Sequence, residues 1–405
     1  MAFTGDVSEP VADVIRPGSR RGAAGYYQVG QDAAGRWWML DPDGQPLFLR
    51  GVHGVAPAPG HHDGGLPDDP AARLRRWGFN AVGVGPDGAA REDGVPYLGV
   101  VEFNRGVPSI VAPGLRLPDV FDPEWPRLAM AHAAAVCPPH AGDRQLIGWV
   151  TDSRLEWAHL PAPGRPSLLQ LCLSLEPGFA AYHAAWEFAL ALHGGKLDTL
   201  SRAWGVAVPN KEVVRERTRA EQGIATRGYL RDEARWAREF ARRYFPVTAA
   251  AVRAADPHHL VLGCRCGGRA GAAVLAECTY PAVDVALLDW RELPPAGTRP
   301  LHPVLASDVA WAVEAAAPAP SGGRPRRLTT FERMLRRART SLDRMARHPD
   351  VAGYFWSQWQ DEPAEQPPFA RGLVHVNGAE AREHVEVLAP FNLRAETLHR
   401  AVGAE

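Results

Sequence analysis

The sequence predicts an α/β protein that folds as a (β/α)8 barrel of the TIM type. Short apolar runs alternate along the chain with longer amphipathic patterns. The runs are apolar on both faces, as the strands of a covered parallel sheet are. Polar side chains follow several of these runs, where a parallel barrel gathers its functional groups. The chain of 405 residues suffices for one large barrel with insertions.

The predicted elements follow in chain order. Residues 1–25 are rich in Pro, Gly and Arg and are expected to form a flexible arm, whereas residues 26–400 form the single barrel. Asp41-Pro42-Asp43-Gly44 lies between apolar runs and predicts an N-terminal β-hairpin cover. Residues 158–231, after the fourth strand, are expected to form a helical insertion. Strands after the first are expected at residues 79–84, 97–103, 146–150, 260–264, 283–288, 302–306 and 351–356, and helices at 70–77, 124–136, 177–193, 232–255 and 329–347.

Composition and charge exclude several classes of protein. Hydrophobic residues make up 46% and charged residues 22%, as in a globular domain. The 45 basic and 46 acidic residues give no reason to expect nucleic acid or an anionic membrane as a partner. No apolar run reaches the roughly 18–20 residues of a membrane span. Because the first 25 residues also lack the pattern of a signal peptide, we expect a cytoplasmic protein whose oligomeric state stays open.

Neither a cofactor nor a metal is expected. No Gly-x-Gly-x-x-Gly follows the first strand and no Gly-x-x-x-x-Gly-Lys-Ser/Thr occurs, which disfavours a nucleotide-binding open sheet, the competing architecture. The five cysteines are odd in number and scattered, which argues against a disulfide framework. Cys264-Arg265-Cys266 and Cys278 lack a convincing fourth zinc ligand and are interpreted as buried thiols.

Several motifs follow one another over residues 35–395. After the hairpin come Gly51-Val52-His53-Gly54-Val55, Leu74-Arg75-Arg76-Trp77-Gly78-Phe79-Asn80, Asp119-Val120-Phe121-Asp122-Pro123, Leu200-Ser201-Arg202-Ala203-Trp204-Gly205 and Gly353-Tyr354-Phe355-Trp356-Ser357-Gln358-Trp359. In this order they resemble the agarase-like glycoside hydrolases of the (β/α)8-barrel clan. The resemblance implies the barrel fold and a site for carbohydrate at the carboxyl ends of the strands.

The catalytic positions depart from the pattern of that family. Leu146-Ile147-Gly148-Trp149-Val150-Thr151-Asp152-Ser153-Arg154 resembles its fourth strand, where a Glu in the place of Arg154 is the general acid/base. An arginine cannot donate that proton, because its pKa stays above about 12. Pro303-Val304-Leu305-Ala306-Ser307-Asp308 resembles the run Pro-Val-Leu-x-Gly-Glu that carries the nucleophile, so Asp308 stands in the place of Glu. Leu288-Asp289-Trp290 stands where the family has an Asn or Tyr.

Two sets of candidate site residues result. The candidates for catalysis are Asp308, Asp152, Asp289 and Arg154, and those for substrate binding are Glu102, His53, Trp290, Trp356, Gln358 and Trp311. For each one the alternative is a hydrogen-bonded or packed structural side chain. Arg154 either pairs with Asp308 or Asp289, or binds a carboxylate or phosphate of the ligand through its planar fork.

Three functions remain open at this point. The first is an enzyme that uses acid–base chemistry, by Asp308 with Asp289 or Asp152, for elimination, cyclisation or isomerisation of a sugar-like or natural-product small molecule. The second is a true glycoside hydrolase with Asp308 as nucleophile and an unconventional acid, although a shift of about 1 Å in that carboxylate costs on the order of a hundredfold in rate. The third is a carbohydrate-binding pseudoenzyme. Carboxylates at several strand ends favour the first, because buried acids are costly unless paired or used.

Overall fold

The computed structural model describes residues 15–56, 69–85, 94–105, 107–112, 115–153, 155–158, 166–268, 271–293, 295, 302–311, 331–361 and 371–401. The chain divides into two compact units. The first unit comprises residues 1–99, 143–148 and 295–405, and the second comprises residues 100–142 and 149–294.

Eight strands form the central parallel sheet. They are β1 Leu49–Val52, β2 Ala81–Val82, β3 Tyr97–Val101, β4 Leu146–Thr151, β5 Leu260–Gly263, β6 Ala286–Asp289, β7 Val304–Val309 and β8 Val351–Trp356. Their order in the sheet is β5-β4-β3-β2-β1-β8-β7-β6. The first and last strands are therefore neighbours, and they pair in parallel with Leu49 opposite Gly353. The two strands at the ends of this order are β5 and β6. Between them, the amide of Asp284, just before β6, donates to the carbonyl of Val261 in β5 over 2.9 Å. The predicted (β/α)8 barrel is confirmed.

The predicted hairpin is also confirmed, and a third strand extends it. Trp37–Leu40 pairs antiparallel with Pro46–Leu47 on one side and with Gln28–Gln31 on the other. Oδ1 of Asp41 accepts the amides of residues 43 and 45, which fixes the turn. The amide of Trp37 donates to the carbonyl of residue 349, just before β8, so the hairpin covers the amino end of that strand.

Residues 15–25, which the sequence assigns to the flexible arm, pack against this small sheet. Ile15 is buried and forms a bridge with Asp32, and Arg21 exchanges backbone hydrogen bonds with Val29. Between them lies a short 3-10 helix, Pro17–Ser19. Residues 1–14 lie outside the described residues.

The helices cover the barrel and build the insertion. They are α1 Pro70–Arg76, α2 Trp125–Val136, α3 Leu168–Ser174, α4 Ala180–Leu192, α5 Leu197–Trp204, α6 Glu212–Arg219, α7 Arg227–Ala255, α8 Ala272–Val274, α9 Phe331–Ala346 and α10 Arg382–Arg400. Helices α3 to α6 lie between β4 and β5 and confirm the helical insertion. Helix α10 has no counterpart among the predicted helices. No helix among the described residues is long and apolar enough to cross a membrane.

Candidate active site

A hydrogen-bonded group of candidate residues lies in the first unit, at the carboxyl ends of β1 and β7. Nε2 of His53 is 3.0 Å from Oγ of Ser307, and this Oγ is 3.1 Å from Oδ2 of Asp308. His53 and Ser307 are 3% and 1% exposed, whereas Asp308 is partly exposed. A buried imidazole is thus linked through one hydroxyl to a carboxylate that a ligand can reach.

The direction of this hydrogen-bond chain follows from its buried end. The amide of Val84 donates to Nδ1 of His53 over 3.0 Å, so Nδ1 carries no proton. The imidazole is therefore the neutral tautomer with its proton on Nε2, and it donates to Ser307. The Ser307 hydroxyl in turn donates to Oδ2 of Asp308. Each donor in this series of hydrogen bonds, from Val84 to Ser307, therefore points toward the Asp308 carboxylate.

Two glycines make room for the imidazole and its neighbour. The ring of Phe355 stacks on His53 with centroids 5.0 Å apart. A Cβ at Gly83 would lie 2.3 Å from Nδ1 of His53, and a Cβ at Gly51 would lie 2.2 Å from the Phe355 ring. Any larger residue at these two positions would displace the ring that supports Ser307.

Asp308 sits in an irregular part of β7. The register of β7 against β8 shifts between Ala306 and Val309. Asp308 has a φ of 55°, in the left-handed region that non-glycine residues rarely adopt. Such a conformation costs about 1 kcal/mol or more and is concentrated at functional sites. The irregularity frees Ser307 and Asp308 from the strict alternation of side chains along a strand.

The aromatic candidates of the first unit form one packed group. Trp311 and Trp356 meet edge to face with ring centroids 4.5 Å apart, and His384 packs 5.4 Å from Trp356. Nε1 of Trp356 donates to the carbonyl of Arg371 over 3.0 Å. Nε1 of Trp311, by contrast, is buried and has no hydrogen-bond partner among the described residues, although the residue as a whole is partly exposed. Trp356 is held in place by this bond, whereas the Trp311 side chain is partly exposed.

Gln358 and Asp361 connect the segment after β8 to the chain that follows. Nε2 of Gln358 donates to the carbonyl of Gln360 over 2.8 Å. The carboxylate of Asp361 accepts the amide of Gly372 over 2.7 Å and contacts Nδ1 of His375 at 2.8 Å. These contacts favour structural roles for both side chains.

In the second unit, Asp152 is enclosed at the end of β4. Its side chain is fully buried and its φ is 66°. Oδ1 accepts the amide of Asn104 over 2.8 Å, and Oδ2 lies 2.6 Å from the Tyr244 hydroxyl. Burial raises the pKa of Asp152 to about 7, and the nearby charge of Glu102 adds to the shift. Glu102 itself, just after β3, is partly exposed.

The Tyr244 hydroxyl has two acceptors for one hydrogen. Besides Asp152 it lies 2.6 Å from the carbonyl oxygen of Thr151. When Asp152 is protonated, the carboxyl donates to Tyr244 while Tyr244 donates to Thr151. Every polar atom of this triad is then satisfied, so the structure accommodates the neutral acid well.

Asp289 is paired locally at the end of β6. Arg291 binds both of its oxygens, with Nε 2.9 Å from Oδ1 and a guanidinium nitrogen on Oδ2. Oδ1 also accepts the Arg291 amide and caps the 3-10 helix Trp290–Glu292. Asp289 is 7% exposed and Trp290 is half-buried. This pairing favours the structural alternative for Asp289.

Arg154 lies outside the described residues, so its two possible roles stay open. Among the described residues, no group of three or more His, Cys, Asp or Glu side chains is placed to hold a metal ion.

The structure adds two polar residues that the sequence does not single out. Ser307 bridges His53 and Asp308, and Tyr244 on α7 bonds Asp152. Ser307 has a weak signal in the sequence, because it stands beside Asp308 where the resembled motif has Gly. Tyr244 has none, since it lies 92 positions from its partner in a helix that reads as amphipathic packing.

Comparison with known proteins agrees with this architecture. No model of a protein family matches the chain. β-Agarase A of Vibrio sp. strain JT0107 is 25% identical over 243 residues, which cover 54% of this chain and 24% of the agarase. The match therefore spans about a quarter of the length of that relative.

Solved structures resemble nearly the whole chain. The agarase AgWH50C superposes with a TM-score of 0.62 at 16% identity, over 96% of this chain and 69% of that one. An exo-β-agarase superposes with a TM-score of 0.62 at 15% identity, over 98% of this chain and 72% of that one. BpGH50 superposes with a TM-score of 0.64 at 14% identity, over 98% of this chain and 87% of that one. The chain has a glycoside-hydrolase-like (β/α)8 fold, as its resemblance to the agarase-like family implies.

Proposed function

We propose that this protein is a carbohydrate-active enzyme in which Asp308 acts as a base on a sugar-like or natural-product small molecule. The observation that carries the proposal is the chain of hydrogen bonds from His53 through Ser307 to Asp308. It ends on a partly exposed carboxylate in a rarely adopted backbone conformation. Such an arrangement fixes the direction of one carboxylate.

A base fits Asp308 better than a nucleophile does. The nucleophile of a retaining glycosidase must reach the anomeric carbon, and its carboxyl group lies only about 5–5.5 Å from the acid/base. Asp308 is one methylene shorter than the Glu it replaces, and Ser307 holds its Oδ2. A base only has to lie within hydrogen-bond reach of an acidic hydrogen, directly or through one water.

The proton balance of this reaction is simple. Asp308 takes a proton from a carbon or hydroxyl of the sugar and becomes neutral. In an elimination the released electron pair forms a double bond and the leaving group departs with its own pair. In an isomerisation the proton returns to a neighbouring atom. Ser307 and His53 are positioning residues, because each acts on the substrate only through Asp308.

Trp311 supplies a binding surface for the sugar in this proposal. A pyranose ring packs well on an indole, and the Trp311 side chain is partly exposed. Trp311 follows Asp308 by three residues, so both belong to the segment that leaves β7.

A glycoside hydrolase is the second candidate, and the likeness to agarases favours it. In that case Asp308 still carries the reaction, either as a nucleophile or as the base for an attacking water. The product distinguishes the two candidates.

The test is a reaction with agaro-oligosaccharides and nitrophenyl galactosides in deuterated water. New reducing ends or nitrophenol report hydrolysis, ultraviolet absorbance of an unsaturated sugar reports elimination, and deuterium bound to a sugar carbon reports proton transfer. We expect elimination or deuterium uptake that Asp308→Asn abolishes. Asp43→Asn, the same chemical change on an exposed turn, should leave it intact.

Three outcomes would overturn the proposal. Hydrolysis that depends on Asp308 would establish the second candidate. Sugar binding without any product would establish a pseudoenzyme. Activity that survives Asp308→Asn would exclude every mechanism described above.

A further inference from the structure

Helix α9 presents a stripe of exposed arginines on its outer face. Arg333, Arg336, Arg337, Arg344 and Arg347, here called the arginine stripe, are all exposed. At 3.6 residues per turn they fall within an arc of about 100°. The opposite face, with Ala338, Leu342, Met345 and Ala346, is buried.

The charge of the arginine stripe is not compensated within the described residues. None of its five guanidinium groups forms an ion pair there, and Asp343 of the same helix is taken by Arg394 of α10 at 2.7 Å. Helix α7 is different, because Arg238, Arg242 and Arg243 each pair with a glutamate. The near-neutral charge of the whole chain conceals this local excess.

An uncompensated stripe of this kind weakens its own helix. Like charges three and four residues apart repel each other on a helix surface. Arg238, Arg242 and Arg253, elsewhere on this protein, each pair with an acidic side chain. The repulsion within the stripe would be relieved by a ligand that brings several negative charges.

The arginine stripe has the dimensions of a polymer site. From Arg333 to Arg347 the helix rises ~21 Å at 1.5 Å per residue. The helices of a (β/α)8 barrel run antiparallel to its strands. Since α9 ends just before β8 begins, Arg347 lies at the amino end of the strands and Arg333 lies toward the end where Asp308 is found.

We propose that the arginine stripe binds an anionic polysaccharide through its sulfate or carboxylate groups. The planar guanidinium fork pairs with either group through two parallel hydrogen bonds. The choice of a polysaccharide rests on the proposed function, because a carbohydrate-active enzyme meets such polymers as substrates. The stripe then holds a long chain along the outer wall of the first unit, with one end toward Asp308.

Other polyanions fit the same surface less well. A membrane-binding helix exposes an apolar face, whereas the apolar face of α9 is buried. A single-stranded nucleic acid is usually held by aromatic stacking. Among the described side chains of α9, none that is exposed is aromatic.

Binding to the intact chain tests the inference. The probes are dextran sulfate, polygalacturonate, neutral dextran, duplex DNA and anionic phospholipid vesicles. We expect a sulfated or carboxylated polysaccharide to bind, and Arg336→Gln/Arg337→Gln/Arg344→Gln to weaken its Kd about tenfold or more at low salt. The slope of log Kd against log salt should fall by about three. The relative affinity for dextran sulfate and polygalacturonate identifies the preferred anion.

The matched control removes the same charge from α7. Arg238→Gln/Arg242→Gln/Arg243→Gln takes away three glutamate-paired arginines and should change the Kd less than about twofold. Equal weakening by both triple variants, binding to neutral dextran, or tighter binding to DNA or vesicles would overturn the inference. Binding requires no turnover, so an Asp308→Asn variant without effect on activity would refute the proposed function alone.

Discussion

Nε2 of His53 lies 3.0 Å from Oγ of Ser307. This hydrogen bond links the residue that follows β1 to a residue near the end of β7. Ser307 stands where the resembled catalytic motif has Gly, and the next residue, Asp308, stands where it has Glu. The two departures are coupled, because the added hydroxyl donates to the shortened carboxylate. Together they put a shorter carboxylate, held by a neighbouring hydroxyl, in the place of the longer one.

Ser307→Ala should therefore affect both of its neighbours. The buried Nε2–H of His53 loses its acceptor, which costs about 1–3 kcal/mol of unfolding free energy. Asp308 loses a donor, so the activity that depends on it should fall. Denaturant unfolding measures the first effect, and 15N NMR of the labelled histidine reports whether the proton stays on Nε2. An unchanged histidine spectrum in the variant would contradict the hydrogen-bond chain.

Asp152 predicts a fall in stability as the pH rises. Its pKa is about 7 in the fold and 3.8 when unperturbed, so the folded state binds this proton more tightly than the unfolded state. The contribution of Asp152 to the free energy of unfolding is most favourable below about pH 4. It declines between about pH 4 and 7 and is constant above pH 7. Ionisation in the buried site costs up to about 4 kcal/mol. Urea unfolding of the wild type at pH 5 and pH 8 measures the difference.

Asp152→Asn should remove most of that pH dependence. The amide mimics the protonated acid, since its oxygen accepts from Asn104 and its nitrogen donates to Tyr244. The variant should match the wild type near pH 3, where Asp152 is protonated in both the folded and the unfolded state, and exceed its stability increasingly at pH 5 and pH 8. Asp43→Asn, on an exposed turn, is the control. A variant that loses stability at pH 8 would show that the ionised form of Asp152 is the one that the fold requires.

The barrel could be predicted from the sequence, whereas the contacts that define the site could not. Apolar strands, the Asp41-Pro42-Asp43-Gly44 turn and the order of the motifs are local signals, and each is confirmed. The pairing of Asp289 also has a local signal in the sequence, because Arg291 is only two residues away. Tyr244 meets Asp152 only through the packing of α7, which no local pattern of residues specifies.

Asp350 is a buried carboxyl whose Oδ1 has no hydrogen-bond partner among the described residues, and its replacement should stabilise the protein. It is 3% exposed, Oδ1 has no hydrogen-bond partner among the described residues, and burial raises its pKa to about 6. Ionisation therefore costs about 3 kcal/mol above pH 6, and the cost disappears as the pH falls toward 4. Asp350→Asn should raise the unfolding free energy at pH 8 by about 1–3 kcal/mol and leave it nearly unchanged at pH 4.

Asp256 provides the opposite case for the same experiment. Burial raises its pKa, but hydrogen bonds from His259, Trp149 and the amide of His258 outweigh it and lower the pKa to about 2. The paired carboxylate stabilises the fold above about pH 4, and this stabilisation is lost as the pH falls toward 2. Asp256→Asn should destabilise the protein at pH 7 by about 2 kcal/mol. If Asp350→Asn and Asp256→Asn changed the unfolding free energy in the same direction near neutral pH, the opposite pKa shifts given for Asp350 and Asp256 would be contradicted.

Trp311 and Trp356 predict opposite consequences of the same substitution. Trp356→Phe removes the donor that satisfies the Arg371 carbonyl and should cost about 1–3 kcal/mol of unfolding free energy. Trp311→Phe removes an N–H that bonds nothing among the described residues, so stability should change by less than about 1 kcal/mol. Its effect should instead appear in calorimetric titration with agaro-oligosaccharides as a weaker affinity, because a phenyl ring offers the sugar less stacking surface than the indole does. If Trp311→Phe binds the sugar as the wild type does, Trp311 belongs to the core and the sugar site must be sought elsewhere on the barrel.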